Sequence, residues 1–126
     1  MKIQESAENY LETILVLQKR NGRVRSIDIA NELDFSKPSV SVAMKNLREN
    51  DYIKTDDDGY IELLPEGENI ARKIYERHTV ITDCLVFLGV DRITAAEDAC
   101  RIEHVISEES FNCIKNHVTE NEKNKI

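Results

Sequence analysis

At 126 residues, with 40% apolar and 33% charged side chains and a net charge of −7, the chain is long enough for one domain or two small ones and polar enough to be soluble. No run of 18 apolar residues occurs and Met1-Lys2-Ile3-Gln4-Glu5 leads into none, so neither a membrane span nor a signal peptide is expected, and the cytoplasm is the expected location. Cys84, Cys100 and Cys113 are an odd set without a Cys-x-x-Cys pair, which argues against a disulfide framework or a four-cysteine zinc site and for reduced thiols.

Residues 6–20 read as a helix with Ser6 as its cap: Tyr10, Ile14 and Leu17 fall at i, i+4 and i+7, Leu11 and Leu15 widen the apolar face, and Asn21-Gly22 ends it. Asn9 and Glu12, three apart, share its more polar side. Ser26 is the expected cap of a short helix over 27–33. Asp34-Phe35-Ser36 then turns the chain into a helix over 37–49, giving a helix-turn-helix pattern. Pro38 is tolerated in the first turn, where a missing N–H costs nothing. The period places Val40, Ala43, Met44 and Leu47 inside and Ser39, Ser41, Val42, Lys45 and Asn46 outside.

That outer face, with Ser36 and Lys37 at the helix start, has the chemistry of a groove reader. Short hydroxyls and helix N–H groups suit phosphates, Lys45 and Asn46 are donors to bases or backbone, and Val42 suits a thymine methyl. The same pattern describes any amphipathic helix, but two strand-like segments follow, 52–55 and 60–63, joined by Asp56-Asp57-Asp58-Gly59 with its Asp-Gly turn signal. The unit reads as a winged helix. Seven basic residues against three acidic ones between Lys19 and Arg48 give this segment +4, and the rest of the chain −11, so the overall negative charge does not oppose DNA locally. The three aspartates at the wing tip would be repelled by phosphates.

Pro65 opens a long helix to about Leu88, with Ile70, Ile74, Ile81, Leu85 and Leu88 on its buried side, His78 in its middle and Gly89 at its end. The helix over 93–106 carries Cys100, Glu103 and His104 at i, i+3 and i+4, hence on one face. Spacing alone leaves two readings open: a patch that holds a divalent metal, or a buried thiol beside a solvated pair. An apolar stripe of Ala95, Ala99, Ile102 and Ile106 is core, or faces the same helix of a second subunit. A last helix begins at Ser107-Glu108-Glu109 with Phe111, Ile114 and Val118 inward, and 119–126 reads as a polar, frayed tail.

Glu8-Asn9-Tyr10-Leu11-Glu12-Thr13-Ile14, Glu76-Arg77-His78, and Glu97-Asp98-Ala99-Cys100-Arg101-Ile102-Glu103-His104-Val105-Ile106-Ser107 resemble, in order, the diphtheria toxin repressor and manganese transport regulator family over about residues 5–118. The resemblance implies a mainly α fold: a winged helix-turn-helix DNA-binding domain over 1–64, then a helical metal-binding and dimerisation domain over 65–126, linked by the helix 65–88. It implies a metal-dependent repressor of metal-uptake genes that binds operator DNA as a homodimer. It also implies Asn9, Glu12, His78, Cys100, Glu103 and His104 as ligands, Fe(II) or Mn(II) as the ion (Co, Ni or Zn in vitro), and no organic cofactor. Asn9 stands where the iron branch has methionine and the manganese branch aspartate; Cys100 matches the iron branch, where the manganese branch has glutamate. Thr82 and Ala96 replace ligands of the iron branch's ancillary site, which is expected to be lost.

Two other classes compete. A cysteine, a glutamate and a histidine around a metal can activate water, as in a metal-dependent hydrolase, but no separate general base or substrate loop is visible. A winged-helix regulator that has lost metal dependence is the other, and Asn9 is its support.

Overall fold

The computed structural model describes residues 5–123. Its elements, in chain order, are α1 (Glu5–Asn21), α2 (Ser26–Leu33), α3 (Lys37–Glu49), β1 (Ile53–Thr55), β2 (Ile61–Leu63), α4 (Pro65–Phe87), α5 (Arg92–Val105) and α6 (Glu108–Lys123). Two compact units divide between Lys73 and Ile74, inside α4. Among the described residues no helix is long and apolar enough to cross a membrane.

The amino-terminal unit is a winged helix. α1 buries Leu11, Ile14, Leu15 and Leu17, as the 3.6-residue period requires, each worth about 1.5–3 kcal/mol when withdrawn from water. Ser6 is not its cap but lies within the first turn, beside Glu5 and Glu8, whose charge complements the helix dipole. The helix stops at Gly22, whose φ of 83° and N–H bond to the Gln18 carbonyl (2.8 Å) form a left-handed exit. Ser26 also proves to be a first-turn residue. The cap of α2 is Arg25, whose backbone N–H donates to the Asp28 carboxylate at 2.9 Å. Asp34 turns the chain toward α3 with φ 56°, in the region that short polar side chains tolerate. Ser36 caps α3, its hydroxyl accepting from Ser39 N–H at 3.3 Å.

β1 and β2 pair antiparallel with Ile53 opposite Leu63 and Thr55 opposite Ile61, which sends Ile53 and Ile61 into the core. The Asp56 carboxylate accepts from the backbone N–H groups of Asp58 and Tyr60, both at 2.9 Å, and Gly59 takes φ 85°. A Cβ at Gly67 would run into the Tyr52 carbonyl, so glycine lets α4 start flush against the backbone just before β1.

The carboxy-terminal unit is helical. Ile81, Ala99 and Phe111, from three helices, form its core, with Val80, Leu85, Ile102 and Ile106 packed against them. Of the stripe, Ala95 and Ala99 are buried within the single subunit, while Ile102 and Ile106 pack against this core and are only half-buried. The large apolar residues left in solvent are instead Phe87, Leu88, Ile93 and Val105. Leu88, expected on the buried side of α4, is 69% exposed because the helix ends at Phe87; Ile74 and Ile81 are buried, Ile70 and Leu85 half-buried. Asp91 caps α5 through two backbone N–H groups, and Ser107 caps α6 through Ser110 N–H at 3.1 Å. The tail expected to fray from 119 is helical through Lys123; its last three residues, 124–126, and residues 1–4 of the amino-terminal segment lie outside the described residues.

Candidate metal centre and nucleic-acid interface

On α5, whose start Asp91 caps, the i, i+3 spacing turns Cys100 and Glu103 toward His78 in α4, and His104 lies beside Glu103. His78 Nδ1 lies 2.9 Å from Glu103 Oε2 and 3.8 Å from Cys100 Sγ, and the ligand atoms of His78, Cys100 and Glu103 all lie within 4.8 Å of one another. Glu103 is 0% exposed, and its Oε1 has no hydrogen-bond partner among the described residues, although His104 Nε2 is 3.4 Å away. A buried oxygen left in this way costs about 1–3 kcal/mol, more when charged, unless a cation satisfies it. Thiol, carboxylate and imidazole are a donor set for a borderline divalent ion, so these residues fit the metal that the sequence implies.

The alternative of a buried thiol beside a solvated pair is overturned. Cys100 is exposed, Glu103 is fully buried, and the His104 side chain is nearly so. Hydrogen bonding to the Cys100 sulfur and then to the Glu103 carboxylate pushes the His78 imidazole up to about 10, against the opposing effect of burial. A proton on His78 thus offsets part of the cluster's negative charge. The other two expected donors, Asn9 and Glu12, stand on α1 in the amino-terminal unit, Glu12 buried and Asn9 half-buried.

Sequence reasoning passed over Arg77. Its Nη1 donates to the carbonyls of Glu103 (3.1 Å) and Ile106 (3.0 Å), and its guanidinium lies 5.4 Å from the Phe111 ring. It therefore satisfies the open carbonyls at the end of α5 and fixes the turn that carries Glu103. The signal was present: Arg77 occupies a position that the period of Ile70, Ile74 and Ile81 assigns to the core.

On the winged unit α3 hides Val40, Met44 and Leu47, with Ala43 half-buried. Ser36, Lys37, Ser39, Ser41, Lys45 and Asn46 are exposed together with Val42, at 61%. Ser36 and Ser39 hydroxyls hydrogen-bond each other at 2.8 Å, which holds the helix start.

A winged helix followed in sequence by a helical unit with a thiol, carboxylate and imidazole cluster defines a class, the metal-responsive winged-helix regulators. Residues 2–61 match the family model "Iron dependent repressor, N-terminal DNA binding domain", and residues 64–125 match "Iron dependent repressor, metal binding and dimerisation domain". An uncharacterised HTH-type transcriptional regulator of Methanocaldococcus jannaschii is 34% identical over 115 residues, covering 90% of this chain and 92% of that protein. Transcriptional regulator MntR of Salmonella typhimurium is 33% identical over 108 residues, 86% of this chain and 69% of that one. Among solved structures, the manganese regulator SloR superposes with a TM-score of 0.79 at 25% identity, covering 94% of this chain and 55% of that chain. IdeR of T. acidophilum gives 0.79 at 24% identity, with 93% and 55% covered. The chain spans about half the length of these two solved chains. It belongs to the iron-dependent repressor family, that of the diphtheria toxin repressor and the manganese transport regulators, and is a metal-dependent transcriptional repressor of that family. The family consists of transcriptional regulators, not enzymes.

Proposed function

We propose that this protein represses metal-uptake genes in the cytoplasm by binding operator DNA as a homodimer when Fe(II) or Mn(II) is held by His78, Cys100, Glu103 and His104, with Glu12 and Asn9 of α1 completing the ligand set. The buried Glu103 carboxylate with an unsatisfied oxygen beside His78 and Cys100 carries the reading. When bound, a divalent ion would supply positive charge in place of the proton on His78 and satisfy the open oxygen of Glu103. Glu103 would be a ligand, Arg77 holds the helix turn beneath it, and His78 would bind the ion as the neutral imidazole.

Drawing ligands from α1 as well as from α4 and α5 makes metal occupancy a link between DNA reading and dimerisation. By reciprocity DNA then raises metal affinity by the same factor, typically about 1–3 kcal/mol. The exposed Ser39, Ser41, Val42, Lys45 and Asn46 of α3 meet the major groove, Ser36 and Lys37 its phosphates, and a two-fold dimer sets two such helices against half-sites one turn apart. The exposed Phe87, Leu88, Ile93 and Val105 supply apolar surface for a second copy. The test is an anaerobic mobility shift, titrated with metal, on a duplex selected by the protein from a random pool. Metal should be required, and Glu103→Ala and His104→Ala should each remove the response while leaving helical content intact; an unchanged response in both would sink the site.

A further inference from the structure

At the base of the wing two arginines share one aromatic ring. The Arg25 guanidinium carbon lies 4.3 Å and that of Arg23 5.0 Å from the centroid of Tyr60, both within cation–π range. Both arginines are exposed, and among the described residues neither forms an ion pair. Two like charges gathered on one ring repel each other, and the negative face of the ring offsets only part of that. An anion would complete the arrangement. The fold builds the stack deliberately: Arg25 is the backbone cap of α2, tied by Asp28, and Tyr60 is set by its N–H bond to the Asp56 carboxylate. That Asp56 contact also gives one of the wing-tip acids a structural task.

We propose that Arg23 and Arg25, oriented by Tyr60, form a clamp for a backbone phosphate of the DNA whose groove α3 reads. The proposal rests on the DNA-binding reading above and extends it to the wing base. Continuity identifies the occupant. Ser26, next to Arg25, lines with Ile27, Lys37 and Ser41 a depression of about 250 Å³ that joins the start of α2 to the outward side of α3. Arg23, Lys54 and Tyr60 line a second, open cleft of about 620 Å³ on the wing side together with the acids Asp56, Asp58 and Glu62, of which Asp56 is taken up by backbone N–H groups and Glu62 pairs with Lys54 at 3.4 Å. Through Ser26 the Arg25 side of the stack thus adjoins the depression that reaches the reading helix, while the acids of the wing line the cleft on the Arg23 side. Stacking holds the guanidinium planes ready, so less side-chain freedom is given up on binding.

The experiment measures fluorescence anisotropy on metal-loaded protein across a salt series, with the selected operator duplex and a scrambled duplex of equal length. The double variant Arg23→Gln/Arg25→Gln should bind both duplexes about tenfold or more weakly, with a salt slope shallower by about 0.9, the contribution of the one phosphate no longer neutralised. Tyr60→Leu keeps both charges, so it should keep the slope and lose affinity several-fold. Lys45→Ala is the reference for DNA binding through α3. Affinity and slope equal to the parent in the double variant, while Lys45→Ala binds more weakly, would overturn the clamp and leave the DNA-binding reading standing. A loss confined to the operator duplex would also overturn it, since a phosphate clamp is indifferent to sequence. A parent that binds neither duplex would overturn both readings.

Discussion

α3 and α5 are nearly equal in length and opposite in design. α3 hides Val40, Met44 and Leu47 and shows solvent its hydroxyls, lysines and amide. α5 hides Ala95, Ala99 and the carboxylate of Glu103 while Ile93 and Val105 stand in solvent, 71% and 74% exposed. A helix of the first kind is placed by its own hydrophobic pattern. One of the second kind leaves a buried acid and exposed apolar side chains, which the proposed cation and second copy would complete. The contrast separates a part that acts through its surface from a part that responds to what it binds.

The sharpest way to break this comparison is at Glu103. If its burial serves a ligand, Glu103→Ala should abolish the metal response, a loss well above the roughly 10–100-fold typical of outer-shell changes. Its melting temperature without metal should drop only in part, since loss of the unsatisfied oxygen offsets some of the lost His78 contact, and the variant should stay folded. Circular dichroism melts with and without Co(II) read both; a variant that unfolds without metal would mean that Glu103 is a structural acid. On α3 the neighbours Met44 and Lys45 should behave oppositely. Met44→Ala should cost about 2–5 kcal/mol of stability, since its site is fully closed. Lys45→Ala should leave stability within about 0.5 kcal/mol while weakening DNA binding, with a salt slope shallower by about one. Equal stability losses at the two positions, seen in urea titrations, would show that the two faces are misassigned.

The winged unit was legible because its information is local. Caps, the Asp-Gly turn and a 3.6-residue period each fix a few neighbouring residues, so α3 and the hairpin fall where the pattern puts them; the caps of α1 and α2 escaped, since Ser6 lies inside the first turn of α1 and Arg25 caps α2 through its backbone. In the helical unit the face that Cys100 and Glu103 share on α5 was legible from their i, i+3 spacing. The fate of the alanine stripe was not: small residues look alike whether they face a helix of the same subunit or of another, and it took Phe111 from α6 to close over Ala99. Arg77 was hidden for the same reason, because its partners, the carbonyls of Glu103 and Ile106, are 26 and 29 residues away.

A smaller effect follows from His78. Its folded value of about 10 lies above the ordinary histidine value of 6.5, so the stabilisation from its protonated contacts is fully present below pH 6.5 and is lost as pH rises through about 10. Metal requires the neutral imidazole and competes with that proton, so between these limits metal affinity should rise with pH, by up to about tenfold per unit for one proton. Calorimetry at pH 7.5 in two buffers of different ionisation heat should find one more proton released on metal binding by the parent than by His78→Gln. Equal release would show that the imidazole is already neutral.

The smallest expected change concerns which metal, and it tests whether the inverted helix is tuned as well as completed. Cys100 presents its sulfur 3.8 Å from His78 Nδ1, so the cluster joins a soft thiol to an imidazole and one carboxylate. Such a set favours iron, cobalt, nickel and zinc, whereas manganese prefers carboxylate, carbonyl and water oxygens. Asn9, a neutral amide where the manganese branch has an acid, works in the same direction. Ferrous iron should therefore activate DNA binding at least as well as manganese, and Cys100→Glu should move the preference toward manganese, the exposed position of Cys100 leaving room for the longer side chain. Anaerobic titrations of DNA binding with Mn(II) and Fe(II) on both proteins decide it. If the parent already responds far better to manganese, thiolate softness does not set selectivity here, and the cysteine serves only to complete the donor count around Glu103.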